Sequence, residues 1–453
     1  MKLLQSINPF DQTLLAEHTL MTDGEINLVL ENAESSFRSW KTSRFKERGN
    51  LLKQLANTLR ANKEKYAFTI STEMGKILKE SRAEIEKCAT CCEFYAERGE
   101  EFLKDEEIKT DAKKSLVAFD PIGAVFAIMP WNFPFWQVIR FAAPTIMGGN
   151  VALLKHAKNV TQCSKMLEES FIEAGFPKNI FQSLIIESSQ AEKIIEHNIV
   201  QGITLTGSEY AGSSVASLAG KHIKKTVMEL GGSDPFIILD DADILLAAKI
   251  ATQSRMLNAG QSCIAAKRFI VIEQIKDEFL NAFKNEVEKL KQGDQLDETT
   301  TVGPLSSLQS AVELEEQQNN SIKQNAEIII GAKRSGANYQ PTILSNIKKG
   351  MPAYNEEMFG PVASVITAKN DDDAIEIAND HRYGLGAAIF TKDLDKAYLL
   401  ARKINSGAVF VNSMVKSDSR LPFGGVKKSG YGRELSYYGM REFMNIKTIY
   451  IDP

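Results

Sequence analysis

VALLKHA (residues 151–157) puts four aliphatic residues ahead of a lysine and a histidine, and a helical pattern containing MLEESFIEAG (166–175) follows. An apolar run this short, bounded by a helix, reads as a strand buried on both faces. FQSLII (181–186) repeats the pattern and leads into a helix through AEKIIEH (191–197). GITLTGS (202–208) is a third strand, followed by a helix through GSSVASLAG (212–220), and TVMELGG (226–232) and PFIILD (235–240) add two more. Strand and helix alternating in this way predict a doubly wound, mostly parallel α/β sheet.

Upstream, apolar positions recur at three and four from about Ile26 to Lys104, which predicts helices. SLVAFDPIGAVFAIMP (115–130) changes period around a Pro-Ile-Gly turn and reads as two strands. Downstream, a second α/β stretch begins near Asp234 and runs through RFIVIEQI (268–275), ASVITAKN (363–370), AAIFT (387–391) and GAVFVN (407–412). The tail (430–451) ends in an alternating strand in need of a neighbour, and a partner subunit can supply one.

With 453 residues the chain has room for about three domain-sized units. Lys plus Arg (54) against Asp plus Glu (58) gives a net charge of −4, without the basic footprint of a nucleic-acid binder. No apolar run is long enough to cross a bilayer, and Asn8, Pro9 and Asp11 break up the N-terminus as a secretory signal. Five cysteines suit a reducing cytoplasm. The composition predicts a soluble, cytoplasmic protein. CATCC (88–92) lacks the second ligand pair that a zinc site wants, so its thiols read as small hydrophobes on a helix, and no metal is expected.

NAGQSCIAAK (258–267) sets Cys263 after a glycine-containing turn with no histidine nearby. If residues 262–267 open a helix, its first amides would lower the thiol pKa and hold an oxyanion; the bland alternative is a buried inert thiol. PWNFPFWQVIR (130–140) offers the Asn132 amide beside Trp131 and Phe133, either as an oxyanion donor or as an ordinary helix cap. Glu229 sits in an otherwise apolar strand before Gly231-Gly232, as a general base of raised pKa or a salt-bridged structural carboxylate.

PWNFP, LLKHA, LTGS, MELGGSDPF, GQSC, EEMFGP and PFGGVKKSGYGRE stand in the order found in the aldehyde dehydrogenase superfamily, essentially from end to end. Within it the chain most resembles bacterial NAD(P)-dependent succinate-semialdehyde dehydrogenases. The resemblance implies a Rossmann-like cofactor domain (1–102 and 122–230), an α/β catalytic domain (231–428) and a small β oligomerisation arm (103–121 and 429–453) that builds a homodimer or homotetramer. It implies that Cys263 attacks the aldehyde, that Asn132 stabilises the oxyanion, that hydride passes to the nicotinamide, and that Glu229 activates water to hydrolyse the thioester. Ile128, Trp131, Lys155, Gly207, Ser208, Glu357 and Phe359 match positions around the dinucleotide.

Lys158 stands where NAD-preferring relatives often carry a glutamate, so NADP is favoured over NAD, a cation attracting the 2′-phosphate. With a helix starting near Pro134, Trp136, Gln137 and Arg140 share a face. Arg140 lies about 12 Å of helix rise beyond Asn132. In the succinate-semialdehyde branch an arginine at this offset holds the ω-carboxylate; the alternative is an arginine paired to a protein carboxylate. A second arginine of some relatives is replaced here by Leu257, and Ser417, Ser419 and Arg420 are candidates for the missing contacts. Three other readings stand beside this one: a CoA-acylating or broad-range aldehyde dehydrogenase, a cysteine-dependent acyl hydrolase, and a non-catalytic descendant. Glu229 and Arg140 argue against the first, the absent histidine partner against the second, and the presence of Cys263, Glu229 and Asn132 against the third.

Overall fold

The computed structural model describes residues 3–452. The strand Val151–His156 lies in a six-stranded sheet with the order 430–431, 225–229, 200–206, 124–129, 151–156, 181–183. Its pairings are parallel except for Gly430–Tyr431, which adds antiparallel to Lys225–Glu229. Val151 to Leu154 are fully buried, as a strand covered by helices on both faces requires.

Asp234–Ile238, counted with the strands of 151–240 but also at the start of the expected second α/β stretch, belongs to a second, seven-stranded sheet, between Ala266–Ile272 and Gly386–Phe390. Gly231 and Gly232 carry the chain across: a Cβ on Gly231 would come within 2.5 Å of Glu357, and one on Gly232 within 2.7 Å of the Cys263 carbonyl. Two large hydrophobic cores follow the two sheets.

The Pro-Ile-Gly turn divides its two strands between sheets. Lys114–Pro121 pairs antiparallel with Met444–Ile451, and Ala124–Met129 enters the six-stranded sheet. The Asn150 side chain holds the corner, its Oδ1 accepting from the amides of Ile122 (2.7 Å) and Gly123 (3.0 Å). The tail strand thus finds its neighbour within the chain, while Ile446, Ile449, Tyr450 and Ile451 stay exposed along it.

The N-terminal half is helical as the periodicity predicts, with helices Asp23–Trp40, Phe45–Ala61, Lys63–Met74 and Leu78–Phe102. Cys88, Cys91 and Cys92 are fully buried on the last of these, and burial pushes the Cys91 thiol up to about 12. Among the described residues no helix is long and apolar enough to cross a membrane.

Candidate active site

In the six-stranded sheet the strand order reverses between Ala124–Met129 and Val200–Thr206. A crevice at the carboxyl ends of such strands is where open α/β sheets bind ligands. Here those ends run into Pro130-Trp131-Asn132 and into Gly207-Ser208, and both segments line one cavity of about 230 Å³ together with Gln137, Leu230, Gly231, Cys263, Glu357 and Phe359. Ser208 caps the helix Glu209–Lys221, its Oγ accepting from the Ala211 amide at 3.2 Å, so a helix N-terminus faces the same space. His156 fixes the crevice wall. Its Nδ1 accepts from the Ala157 amide (3.0 Å), so its Nε2–H donates to the Pro134 carbonyl (2.9 Å) and ties the end of Val151–His156 to the PWNFP loop.

Cys263 reaches this cavity through an unusual turn. Asn258, Ala259 and Gly260 all take left-handed conformations (φ 53°, 50° and 76°), which disfavour non-glycine residues. A Cβ on Gly260 would lie 2.3 Å from the Gly360 carbonyl oxygen. Arg255, fully buried, clamps the turn: its guanidinium donates to the carbonyls of Gly260 (2.5 Å), Gly360 (2.6 Å) and Ala266 (3.0 Å). Glu80 accepts from the Asn258 amide at 2.9 Å. Nothing in the composition of the helix Ile244–Met256 singled Arg255 out.

The expected helix after Cys263 is absent. The chain enters the strand Ala266–Ile272 instead, because Ala266 to Ile272 are needed, fully buried, in the centre of the seven-stranded sheet. Lys267 supplies the positive charge that a helix terminus would have given. Its Nζ donates to the carbonyls of Ser262 (2.7 Å) and Cys263 (2.6 Å) and lies 3.3 Å from Glu357 Oε1. Burial still dominates and pushes the Cys263 thiol up to about 12, with Lys267 and Arg140 opposing it. Two adjacent cations, Lys267 and Arg268, at the start of an apolar strand were the sequence signal for this arrangement.

Asn132 and Cys263 are brought together. The Asn132 Nδ2 donates one hydrogen to the Gln261 carbonyl (3.0 Å), its Oδ1 accepts from Gln137 Nε2 (3.0 Å), and its second N–H remains for a ligand. Trp131 and Phe359 meet edge to face, centroids 5.8 Å apart, on the wall they share. Glu357 Oε1 accepts from the Gly232 amide at 3.1 Å. Ile128, half-buried, and Lys155 stand near the end of their strands outside this lining, and burial lowers the Lys155 pKa. Lys158 is exposed and lines a separate cavity of about 450 Å³ with Glu187, Ser306 and Ser307.

Glu229 ends its strand 2% exposed, and neither carboxylate oxygen has a hydrogen-bond partner among the described residues. It does not line the Cys263 cavity; it lies against Gly424, where a Cβ would come within 2.6 Å of Oε1. Burial first, then the charge of Glu434, raises its pKa well above the ordinary carboxylate value.

Arg140, on the helix Trp136–Met147, forms a buried ion pair with Glu434, so the alternative reading of a protein-paired arginine is realised. Its Nη2 lies 3.3 Å from Thr206 Oγ1, and the guanidinium sits 4.7 Å above the Phe423 ring. Trp136 is buried beneath Lys87, at 4.1 Å. Ser419 accepts from the Ser436 amide at 2.9 Å through its carbonyl and lies beside the Cys91 thiol.

Relatives have this architecture. A probable succinate-semialdehyde dehydrogenase (NADP(+)) from a Synechocystis species is 45% identical over 451 residues, 99% of each chain. Succinate-semialdehyde dehydrogenase (NADP(+)) 1 of Mycobacterium tuberculosis is 44% identical over 454 residues, again 99% of each. The crystal structure of succinic semialdehyde dehydrogenase from Streptococcus pyogenes in complex with NADP+ superposes with a TM-score of 0.97 at 38% identity, covering 99% of this chain and 100% of that one. The profile described as the aldehyde dehydrogenase family matches residues 2–449, so a chain that sets the half-buried Cys263 beside the switch point of a doubly wound sheet belongs to that family.

Proposed function

We propose that this enzyme oxidises succinic semialdehyde, or a similar short ω-carboxy aldehyde, to the carboxylic acid with NADP+, NAD+ being the lesser cofactor. The observation that carries the reading is the single cavity shared by Cys263, Asn132, the Gly207–Ser208 turn and Glu357. Names of the relatives in Synechocystis, M. tuberculosis and S. pyogenes support the substrate and the cofactor.

The residues fit a dinucleotide. The helix start at Ser208 suits its pyrophosphate, Glu357 and Lys155 its ribose hydroxyls, Lys158 a 2′-phosphate, and Ile128, Trp131 and Phe359 its apolar faces. When bound, the dinucleotide supplies the acceptor for the aldehyde's hydride. The Cys263 sulfur bonds to the aldehyde carbon, while the free Asn132 N–H and the Cys263 amide donate to its oxygen. Loss of hydride from that adduct leaves a thioester. Glu229 then takes a proton from water, whose oxygen attacks the thioester carbon and releases the acid and the thiol. Arg140, anchored on one edge by Glu434, turns its remaining donors toward the aldehyde's far end, with Trp136, Gln137 and Ser419 around it.

In this reading residues 1–102 and 122–230 bind the dinucleotide, 231–428 carry the thiol, and 103–121 with 429–453 form an arm joining two or four subunits. The exposed Ile446, Ile449 and Tyr450 on the arm support this, although Gly430–Tyr431 also extends the six-stranded sheet. Five unpaired cysteines support a cytoplasmic setting.

The test is reduced-nicotinamide absorbance with succinic semialdehyde, with and without CoA. CoA-independent turnover in the wild type and none in Cys263→Ala supports the reading. Turnover at the wild-type rate in Cys263→Ala, a requirement for CoA, or ester hydrolysis alone overturns it.

A further inference from the structure

Lys87 is a half-buried ammonium on the helix Leu78–Phe102 that the mechanism does not use. Its Nζ donates to Ser417 Oγ at 2.7 Å and sits 4.1 Å from the Trp136 ring centroid. Among the described residues no carboxylate lies within ion-pair distance of it. The charged and titratable groups around it are Arg140, the Cys88 and Cys91 thiols, and Glu84, which is already paired with Lys76. Burial, and then Arg140, pushes its pKa down to about 8, as expected of a desolvated cation lacking a counter-ion.

The hydroxyl that holds this charge opens on a second cavity, next to the Cys263 turn. Ser417 lines a cavity of about 280 Å³ with Ile264, the residue after Cys263, and with Phe423 and Gly424, which pack against Arg140 and Glu229 respectively. Trp136, under the ammonium, precedes Gln137, which holds Asn132. Asp418 lines the same cavity, but Arg420 grips it through two hydrogen bonds of 2.9 and 2.6 Å. Arg140 shares its charge with Glu434, whereas Lys87 has none to share with. A half-buried cation held by a hydroxyl and an aromatic face, with no carboxylate to balance it, is open to a ligand anion.

We propose that Lys87, with the Ser417 hydroxyl, receives the ω-carboxylate of the aldehyde and is a specificity-determining residue of this enzyme. The inference rests on the ω-carboxy aldehyde reading above and adds the group that selects for the carboxylate.

The experiment compares succinic semialdehyde with butanal, its uncharged counterpart of equal chain length, at saturating NADP+ in wild type, Lys87→Met and Lys87→Arg. Lys87→Met raises KM for succinic semialdehyde about tenfold or more, the size of one lost charge-assisted contact, and leaves kcat and both butanal constants within about twofold. Lys87→Arg retains most of the preference. Equal losses on both aldehydes, or a preference intact in Lys87→Met, overturn the proposal while leaving the parent reading standing. A wild type that does not prefer succinic semialdehyde overturns the parent reading and this one with it. If Lys87→Met lowers Tm, Lys87→Gln takes its place in the same comparison.

Discussion

Lys267 holds Cys263 by the backbone: its ammonium donates to the Cys263 carbonyl at 2.6 Å and reaches Glu357 Oε1 at 3.3 Å, with the lysine fully buried. One cation therefore ties the nucleophile's loop to the carboxylate proposed to grip the dinucleotide. Removing it in Lys267→Met takes away a charge that lowers the thiol pKa and leaves Glu357 Oε1 with the Gly232 amide but no cation in contact. Alkylation of Cys263 by iodoacetamide near pH 8 is expected to slow, because the thiolate fraction falls, and KM for the cofactor to rise about tenfold. Unchanged alkylation together with an unchanged cofactor KM would show that Lys267 only fills space.

Glu229 makes two predictions from one cause. Its folded-state pKa stands above the ordinary value of 4.5, so its contribution to stability is full below that pH and is lost as pH rises through the folded pKa. Glu229→Gln, which carries no charge, should therefore gain in Tm relative to wild type on going from about pH 5 to about pH 8. As the proposed base for thioester hydrolysis, Glu229 is needed only after reduction of the cofactor. The same variant should give a burst of about one reduced cofactor per subunit and then nearly stop. A Tm difference independent of pH, or steady turnover without a burst, would count against the assignment.

The periodicity of 151–240 was enough to specify a doubly wound sheet, since short all-apolar strands between amphipathic helices have few other ways to bury both faces. It could not assign Asp234–Ile238 to a sheet, because an isolated buried strand carries no mark of its neighbours. That choice is made by the Gly231–Gly232 crossing and by close approaches that exist only in three dimensions. The site shows the same division. Cys263, Asn132 and Glu229 stood out as polar groups in apolar or glycine-bearing contexts. Arg255, Glu434 and Lys87 did not, because their roles depend on a carbonyl, a guanidinium and a hydroxyl, each more than a hundred residues away.

In the proposed reading Lys158 bears on cofactor choice. It is exposed at the start of the turn Lys158–Val160, directly after the strand that carries Lys155. At that place an ammonium favours a 2′-phosphate and a carboxylate repels it. Lys158→Glu should lower the ratio of kcat/KM for NADP+ over NAD+ by about tenfold or more, with little change in Tm because the side chain is solvated. A ratio that does not move would leave Lys158 as a surface charge.

Arg140 has a structural role in its ion pair and a selective one in the proposed reading, and the two can be separated. Its pairing with Glu434 is buried, the side chains 4% and 6% exposed, and it joins the helix Trp136–Met147 to the segment that also exchanges two 2.7 Å backbone hydrogen bonds between Phe423 and Glu434. Arg140→Met leaves Glu434 buried without its cation and removes one of the two cations acting on the neighbouring Glu229, Arg433 being the other, and stability should fall by about 3 kcal/mol in urea denaturation. Arg140→Met combined with Glu434→Leu removes both charges and should recover most of that loss, because an apolar pair avoids the desolvation penalty. Selectivity should not recover with it. If Arg140 presents its remaining donors to the aldehyde's carboxylate, the double variant keeps a stable fold yet loses much of its preference for succinic semialdehyde over butanal. A double variant that is both stable and fully selective would confine Arg140 to its ion pair and leave Lys87 as the group reading the substrate's charge.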